Sequence, residues 1–103
     1  MAQKTANLRK FAEWKDCQVR IYGVCNHNNE TTIWAHYRLG GVAGMGQKPP
    51  DLCGSLCCSA CHDVIDGRRK TDLDKIQIES HMLHGMVRSL KIIDENYVLV
   101  TRE

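Results

Sequence analysis

CSACHDVIDGRRK, residues 58–70, is the segment on which the reading of the whole chain turns. Cys58 and Cys61 form a CxxC, the spacing that lets two thiolates from one tight turn reach a single tetrahedral ion. The residues that follow read as a turn entering a helix. On that helix His62 and Asp66 are four apart, share a face and can grip one ion. Upstream, CQVRIYGVC (residues 17–25) carries a second pair, Cys17 and Cys25, whose wider gap a hairpin or knuckle closed by Gly23 can bridge. Two such knuckles brought together give a structural zinc site with four cysteine ligands, and the binding energy of the ion becomes folding energy.

The size of the chain makes such a staple useful. At 103 residues, 43% of them hydrophobic and 25% charged, it reads as one soluble domain spanning residues 1–103. A domain this small keeps a thin margin of stability, and six cysteines offer a remedy. The amino-terminal MAQKTANLRKFAEWKD lacks the apolar core of a signal peptide. No stretch reaches the ~18 apolar residues of a membrane span. A cytoplasmic location follows, where thiols stay reduced and clustered cysteines point to metal rather than disulfides.

Cys53 and Cys57 compete for the same ion. Adjacent residues of an extended segment point to opposite faces, so Cys57 and Cys58 should not both ligate it. Cys53, on a strand, can pack as a small hydrophobe. The favoured set is therefore Cys17, Cys25, Cys58 and Cys61. A redox CxxC is the competing reading, weakened by the second cysteine pair.

The remaining elements follow from pattern. Residues 6–15 put Leu8, Phe11, Ala12 and Trp14 near one face of a short helix. NHNNE (26–30) is a turn, and TTIWAHYRL (31–39) reads as a strand ending near His36. GGVAGMGQKPP (40–50) is a loop, and no helix follows it closely enough to make it a P-loop. Residues 51–58 fit a second strand. The longest helical pattern covers 72–93, with Ile76, Leu83, Met86, Val87, Leu90 and Ile93 recurring and Asp72 as its cap. The tail from residue 95 reads as a strand.

With WAHYR around His36, PPDL at Asp51 and CSACHDVID in that order, the chain resembles the HNH, or ββα-metal, nucleases. It is most similar in kind to the small prophage-encoded YbcO-type nucleases, from about Leu8 to Arg88. The resemblance implies an α+β fold: a ββα-metal finger with the four-cysteine zinc knuckle and flanking helices. It implies an endonuclease that hydrolyses DNA phosphodiester bonds, with His36 as general base. His62 and Asp66 would then hold a catalytic Mg2+ or Mn2+. An imidazole has the intrinsic pKa to take a proton from water near neutrality, and a divalent ion neutralises charge at the phosphate. Asp51 occupies the middle position, often Asn in the family, where it tethers the loop or reaches the metal. Many members place a metal ligand just before the catalytic histidine; this chain has Ala35 there.

Bland roles stand beside these. His36 could be a packed strand histidine, His62 a zinc-site neighbour, and Asp66 a cap or partner of Arg69. His81 and His84, on the long helix, read as surface or packing residues. The net charge of +2 does not by itself imply nucleic acid. Arg38, Lys48, Arg68, Arg69 and Lys70 form either a solvated basic face or a phosphate track for DNA. The implied partners are DNA and a phage or host recombination protein. The competing functions are a zinc-ribbon nucleic-acid-binding protein without catalysis, Ala35 marking a lost site, and a phage protein-interaction module.

Overall fold

In the computed structural model, which describes residues 7–37 and 51–96, the β-branched and aromatic run around Trp34 forms β1 (Ile33–His36). It pairs antiparallel with β2 (Gly54–Cys57) in the register Ile33↔Cys57, Trp34↔Leu56, Ala35↔Ser55 and His36↔Gly54. Both strands are shorter than their patterns suggest. The glycine-rich loop and the tail beyond Asn96 lie outside the described residues, as do Arg38 and Lys48, while Glu95 and Asn96, read as the start of a tail strand, are helical.

Strand alternation sorts the core into two halves. Trp34 and Leu56 pack with Leu8, Phe11 and Ala12 of α1 (Leu8–Ala12) and with Ile93. Ala35 and Cys57 pack with Cys17, Val19, Ile21 and Met82, and with Cys61 and Val64 of α2 (Ser59–Ile65). The outer edge of β2 is covered rather than left open to further strands. Gln18 N–H donates to Leu56 O at 2.9 Å, and Leu56 N–H donates to Ser89 Oγ at 3.0 Å.

The first helix is shorter than expected. Asn7 caps it by accepting from Lys10 N–H at 3.2 Å, and it stops at Ala12. Trp14 then adopts φ +66° and stands 66% exposed, not on the buried face.

The long helix α3 runs Lys75–Asn96. Its cap is Asp74, not Asp72. Asp74 Oδ1 accepts from Gln77 N–H at 2.8 Å while Gln77 Oε1 accepts from Asp74 N–H at 2.9 Å, a reciprocal capping box. Its buried face is Met82, Gly85, Ser89 and Ile93, whereas Ile76, Leu83, Val87 and Leu90 are exposed. Small residues won this face because they allow close approach to β2. Ser89 Oγ lies 3.1 Å from Ser55 Oγ and donates to Gly85 O at 2.7 Å. A Cβ on Gly85 would meet Ser55 Oγ at 2.7 Å and Val19 Cα at 3.0 Å. Gly85→Ala is therefore expected to destabilise the domain by about 1–3 kcal/mol, the usual cost of overpacking. A lowered urea midpoint at unchanged slope checks this; an unchanged midpoint would mean that α3 can back away freely. No helix among the described residues is long and apolar enough to cross a membrane.

Candidate metal centre and its neighbouring histidines

The first knuckle is built by its own backbone. Val24 N–H and Cys25 N–H both donate to Ile21 O, at 3.0 and 2.9 Å. Gly23 supplies a φ of +75°, which glycine adopts at little cost. No strand forms here, so the closure is a knuckle rather than a hairpin. The second knuckle is the start of α2, where Cys58 is the N-cap and its Sγ accepts from Cys61 N–H at 3.4 Å. Asn26 links the two knuckles by donating to Thr31 Oγ1 and Ser59 Oγ, at 3.2 and 3.1 Å.

Together these turns bring Cys17, Cys25, Cys58 and Cys61 into a cluster whose sulfurs all lie within 4.8 Å of one another. The sulfurs of Cys25 and Cys58 are 3.9 Å apart. Tetrahedral zinc with Zn–S bonds of about 2.3 Å requires sulfurs about 3.8 Å apart, so this four-cysteine cluster can chelate a metal ion without rearrangement of the fold. Cys17, Cys58 and Cys61 are buried and Cys25 is partly accessible.

The protonation of the cluster reflects its crowding. Hydrogen bonds from the Cys57 and Cys61 thiols hold Cys17 far below the usual thiol range. The same bonds, with burial second, push Cys57 and Cys61 well above it. Burial pushes Cys25 up to about 11. Cys57 is thus a fifth thiol against the cluster though not one of its four members, a contact that alternation along β2 did not reveal. Cys53 is only half-buried.

His36 ends β1 on the α1 face of the sheet, the face of Trp34 and Leu56. Its Nε2 is buried without a hydrogen-bond partner among the described residues. Asp51 Oδ1 approaches it at 3.6 Å, beyond hydrogen-bond reach but close enough to pair with a protonated ring. Asp51 is held through its backbone, because the Trp34 indole Nε1–H donates to Asp51 O at 2.8 Å. The loop tether thus runs through the carbonyl of Asp51 rather than its carboxylate.

His62 and Asp66 meet as their spacing predicts, Nε2 to Oδ2, at 3.0 Å. Arg68 closes over both. Its Nη2 is 3.1 Å from the same Asp66 oxygen and 3.4 Å from His62 Nδ1, and its Nε is 3.0 Å from Asp63 Oδ1. With Nε2 donating to Asp66, His62 Nδ1 is the acceptor for the guanidinium. Arg68 is therefore engaged with α2, while Arg69 and Lys70 are exposed. His84 is exposed and His81 half-buried.

The structure so brings His36 to Asp51 and His62 to Asp66. Alternation along β1 puts His36 on the Trp34 face, whereas Cys61 and Val64 of α2 pack with Ala35 on the other.

Comparisons with known proteins show what the chain as a whole is similar to. The family described as "Putative nuclease YbcO" matches residues 6–97. The chain is 52% identical over 84 residues to "Putative nuclease YbcO" of Escherichia coli (strain K12), covering 82% of this chain and 86% of that protein. The "Putative nuclease ybcO" of Enterobacteria phage 82 is similar to the same degree. A solved structure, described as a putative bacteriophage protein from Escherichia coli str. K-12 substr. MG1655, superposes with a TM-score of 0.70 at 44% identity. It covers 85% of this chain and 96% of that one.

Proposed function

Because this chain belongs to the YbcO family, we propose that it is a metal-dependent endonuclease of the HNH type that hydrolyses DNA phosphodiester bonds in phage recombination. The observation that carries the reading is His36 Nε2, buried at a strand end with no hydrogen-bond partner among the described residues. The lone pair of such a nitrogen is uncommitted, and because 27% of the side chain is exposed, a small turn of the ring toward solvent would let it take a proton from an attacking water. Asp51, 3.6 Å away, steadies the ring once it is protonated. The four-cysteine cluster holds a structural zinc that fixes α2 against the first knuckle.

His62 and Asp66, which face each other at 3.0 Å on α2, would hold a Mg2+ or Mn2+ ion that displaces the proton between them. The ion would supply Lewis-acid stabilisation of the phosphate and leaving oxygen. Arg68 competes for the same carboxylate oxygen, so it keeps the free pair neutralised and lowers the affinity for an added cation.

A nucleic-acid-binding module without catalysis is the second reading, favoured by Ala35 and by the opposite faces of His36 and α2. Incubation of plasmid and single-stranded DNA with the zinc-loaded protein and Mg2+ or Mn2+ separates the two. Nicking or degradation supports the nuclease, and no cleavage under any divalent ion overturns it.

Binding to DNA should fall steeply with salt, each phosphate contact adding about −0.9 to the slope of log affinity against log salt for duplex. Because Arg68 is engaged with Asp63 and Asp66, the contacts should come from Arg69 and Lys70. Neutralising both should flatten the slope by about 1.8, and Arg68→Ala should leave it nearly unchanged. An unmoved slope in the double variant would put DNA elsewhere.

A further inference from the structure

The face that α3 turns to solvent has a regular pattern of its own. Ile76, Ser80, Leu83, Val87, Leu90 and Asp94 follow one another at alternating steps of four and three, the spacing of a coiled-coil seam. The apolar members Ile76, Leu83, Val87 and Leu90 are 76%, 44%, 67% and 40% exposed. The helix packs on the rest of the domain through Met82, Gly85, Ser89 and Ile93 instead, so the fold itself gives the outer stripe no partner. Exposed Gln77, His84 and Lys91 border the stripe. A continuous apolar stripe with a polar rim is the mark of an interaction surface.

We propose that this stripe pairs with the same stripe of a second copy of the chain, the two α3 helices lying antiparallel about a two-fold axis that passes between Leu83 and Val87. Such an interface must be self-complementary, and the sequence of the stripe meets that condition. In this register Leu83 packs on the partner's Val87, and Leu90 fits over the small Ser80 of the partner. At the ends, Lys75 meets the carboxylate of the partner's Asp94, and the axis repeats the pair on the other side. Each positive helix amino terminus also lies beside a negative carboxyl terminus. A parallel pair would instead set Asp94 against Asp94 and Lys75 against Lys75. The seam holds no cation, and Lys91 at its rim is paired with Glu95 at 3.9 Å, so a nucleic-acid strand finds little to hold it there. A seam about 27 Å long on a helix about 10–12 Å across lets two copies bury on the order of 1,000 Å² in all, at the threshold for a specific interface. The dimer is therefore a weak one, with a dissociation constant on the order of 10–100 μM.

The test is sedimentation equilibrium of the zinc-loaded full chain from about 1 μM to about 1 mM, a range that brackets this constant. The parent should pass from monomer to dimer. Leu83→Lys and Val87→Glu each put an unpaired charge into the seam and should weaken dimerisation at least about a hundredfold. Both positions are exposed, so zinc content and the melting temperature of the dilute monomer should not change. A chain carrying both changes should dimerise again, because the antiparallel register sets the new lysine of one copy against the new glutamate of the other. Lys75→Glu should weaken pairing about tenfold, and adding Asp94→Lys should recover it.

A parent that stays monomeric up to about 1 mM overturns the proposal and leaves the face to a different partner. A dimer that survives both Leu83→Lys and Val87→Glu also overturns it, because that dimer uses another surface. So does a doubly changed chain that stays monomeric, since the antiparallel register is then wrong. Should the seam variants not fold, Lys75→Glu and its reversal at Asp94 decide alone, because both residues are exposed near the ends of α3. Each of these results is read without DNA, whether or not the protein is a nuclease.

Discussion

Protein purified without added metal is expected to carry about one equivalent of zinc and to lose its cooperative unfolding transition when the ion is stripped or when Cys61 is changed to serine. Structural zinc contributes an apparent ~10–16 kcal/mol at neutral pH in small zinc domains. The whole stability of an ordinary domain is about 5–15 kcal/mol. Losing the first is therefore enough to remove the second. The geometry makes the loss global, since Cys17 and Cys25 come from the first knuckle and Cys58 and Cys61 from the start of α2. Without the ion, four thiols crowd into a buried space, and those pushed above the usual range stay protonated at neutral pH. The ion must displace these protons, so apparent zinc affinity should rise with pH and fall on acidification. Cys53→Ser should retain the ion. Circular dichroism and elemental analysis of the stripped and substituted proteins read both effects. Stripped protein that still unfolds cooperatively near the parent's midpoint would falsify a structural role for the cluster.

His36→Ala is expected to cut DNA about two to four orders of magnitude more slowly than the parent, the usual cost of a lost general base. Its zinc content should be unchanged, because the four thiols of the cluster belong to other residues. Divalent-ion affinity should also be nearly unchanged, because the proposed ligands are His62 and Asp66, not His36. His62→Ala and Asp66→Ala should instead raise the concentration of Mg2+ or Mn2+ needed for half-maximal cleavage. Asp66→Ala should be partly rescued by high Mn2+, since a water can replace a carboxylate oxygen but not a positioned imidazole. Single-turnover rates against ion concentration separate the two classes. Parental cleavage by His36→Ala would remove it from the chemistry.

Several features of the site are local and were legible in the chain itself. The CxxC of Cys58 and Cys61, the Cys17–Cys25 knuckle and the turn-spaced His62–Asp66 pair each depend on a few consecutive residues whose backbone has few conformations open to it. The Asp74 cap shows where such reading slips: Asp72 and Asp74 are both plausible, and only the reciprocal bonds to Gln77 choose. Trp14 slipped for a related reason, since a helix ends where its hydrogen bonds find better partners, not where the apolar pattern stops.

Tertiary contact decided the rest. The buried face of α3 went to Gly85 and Ser89 rather than to Leu83, Val87 and Leu90, because close approach to Ser55 and Leu56 outweighs hydrophobicity there. Cys57 lies against the cluster because it shares the Ala35 face of the sheet, on which Cys17 and Cys61 pack, so pointing away from its neighbour did not take it away from the other thiols. Arg68 turned back onto Asp63, His62 and Asp66 because Gly67, at φ +77°, ends α2 and lets the chain fold over its own last turn. The sequence by itself determined the two cysteine pairs and which histidine pairs with which carboxylate on α2, since short-range spacing sets both; that the two pairs meet is a tertiary contact. It did not determine the face from which His36 looks out. That depends on the register of β1 against β2 and on which helix covers each side, a choice made by packing across the whole domain.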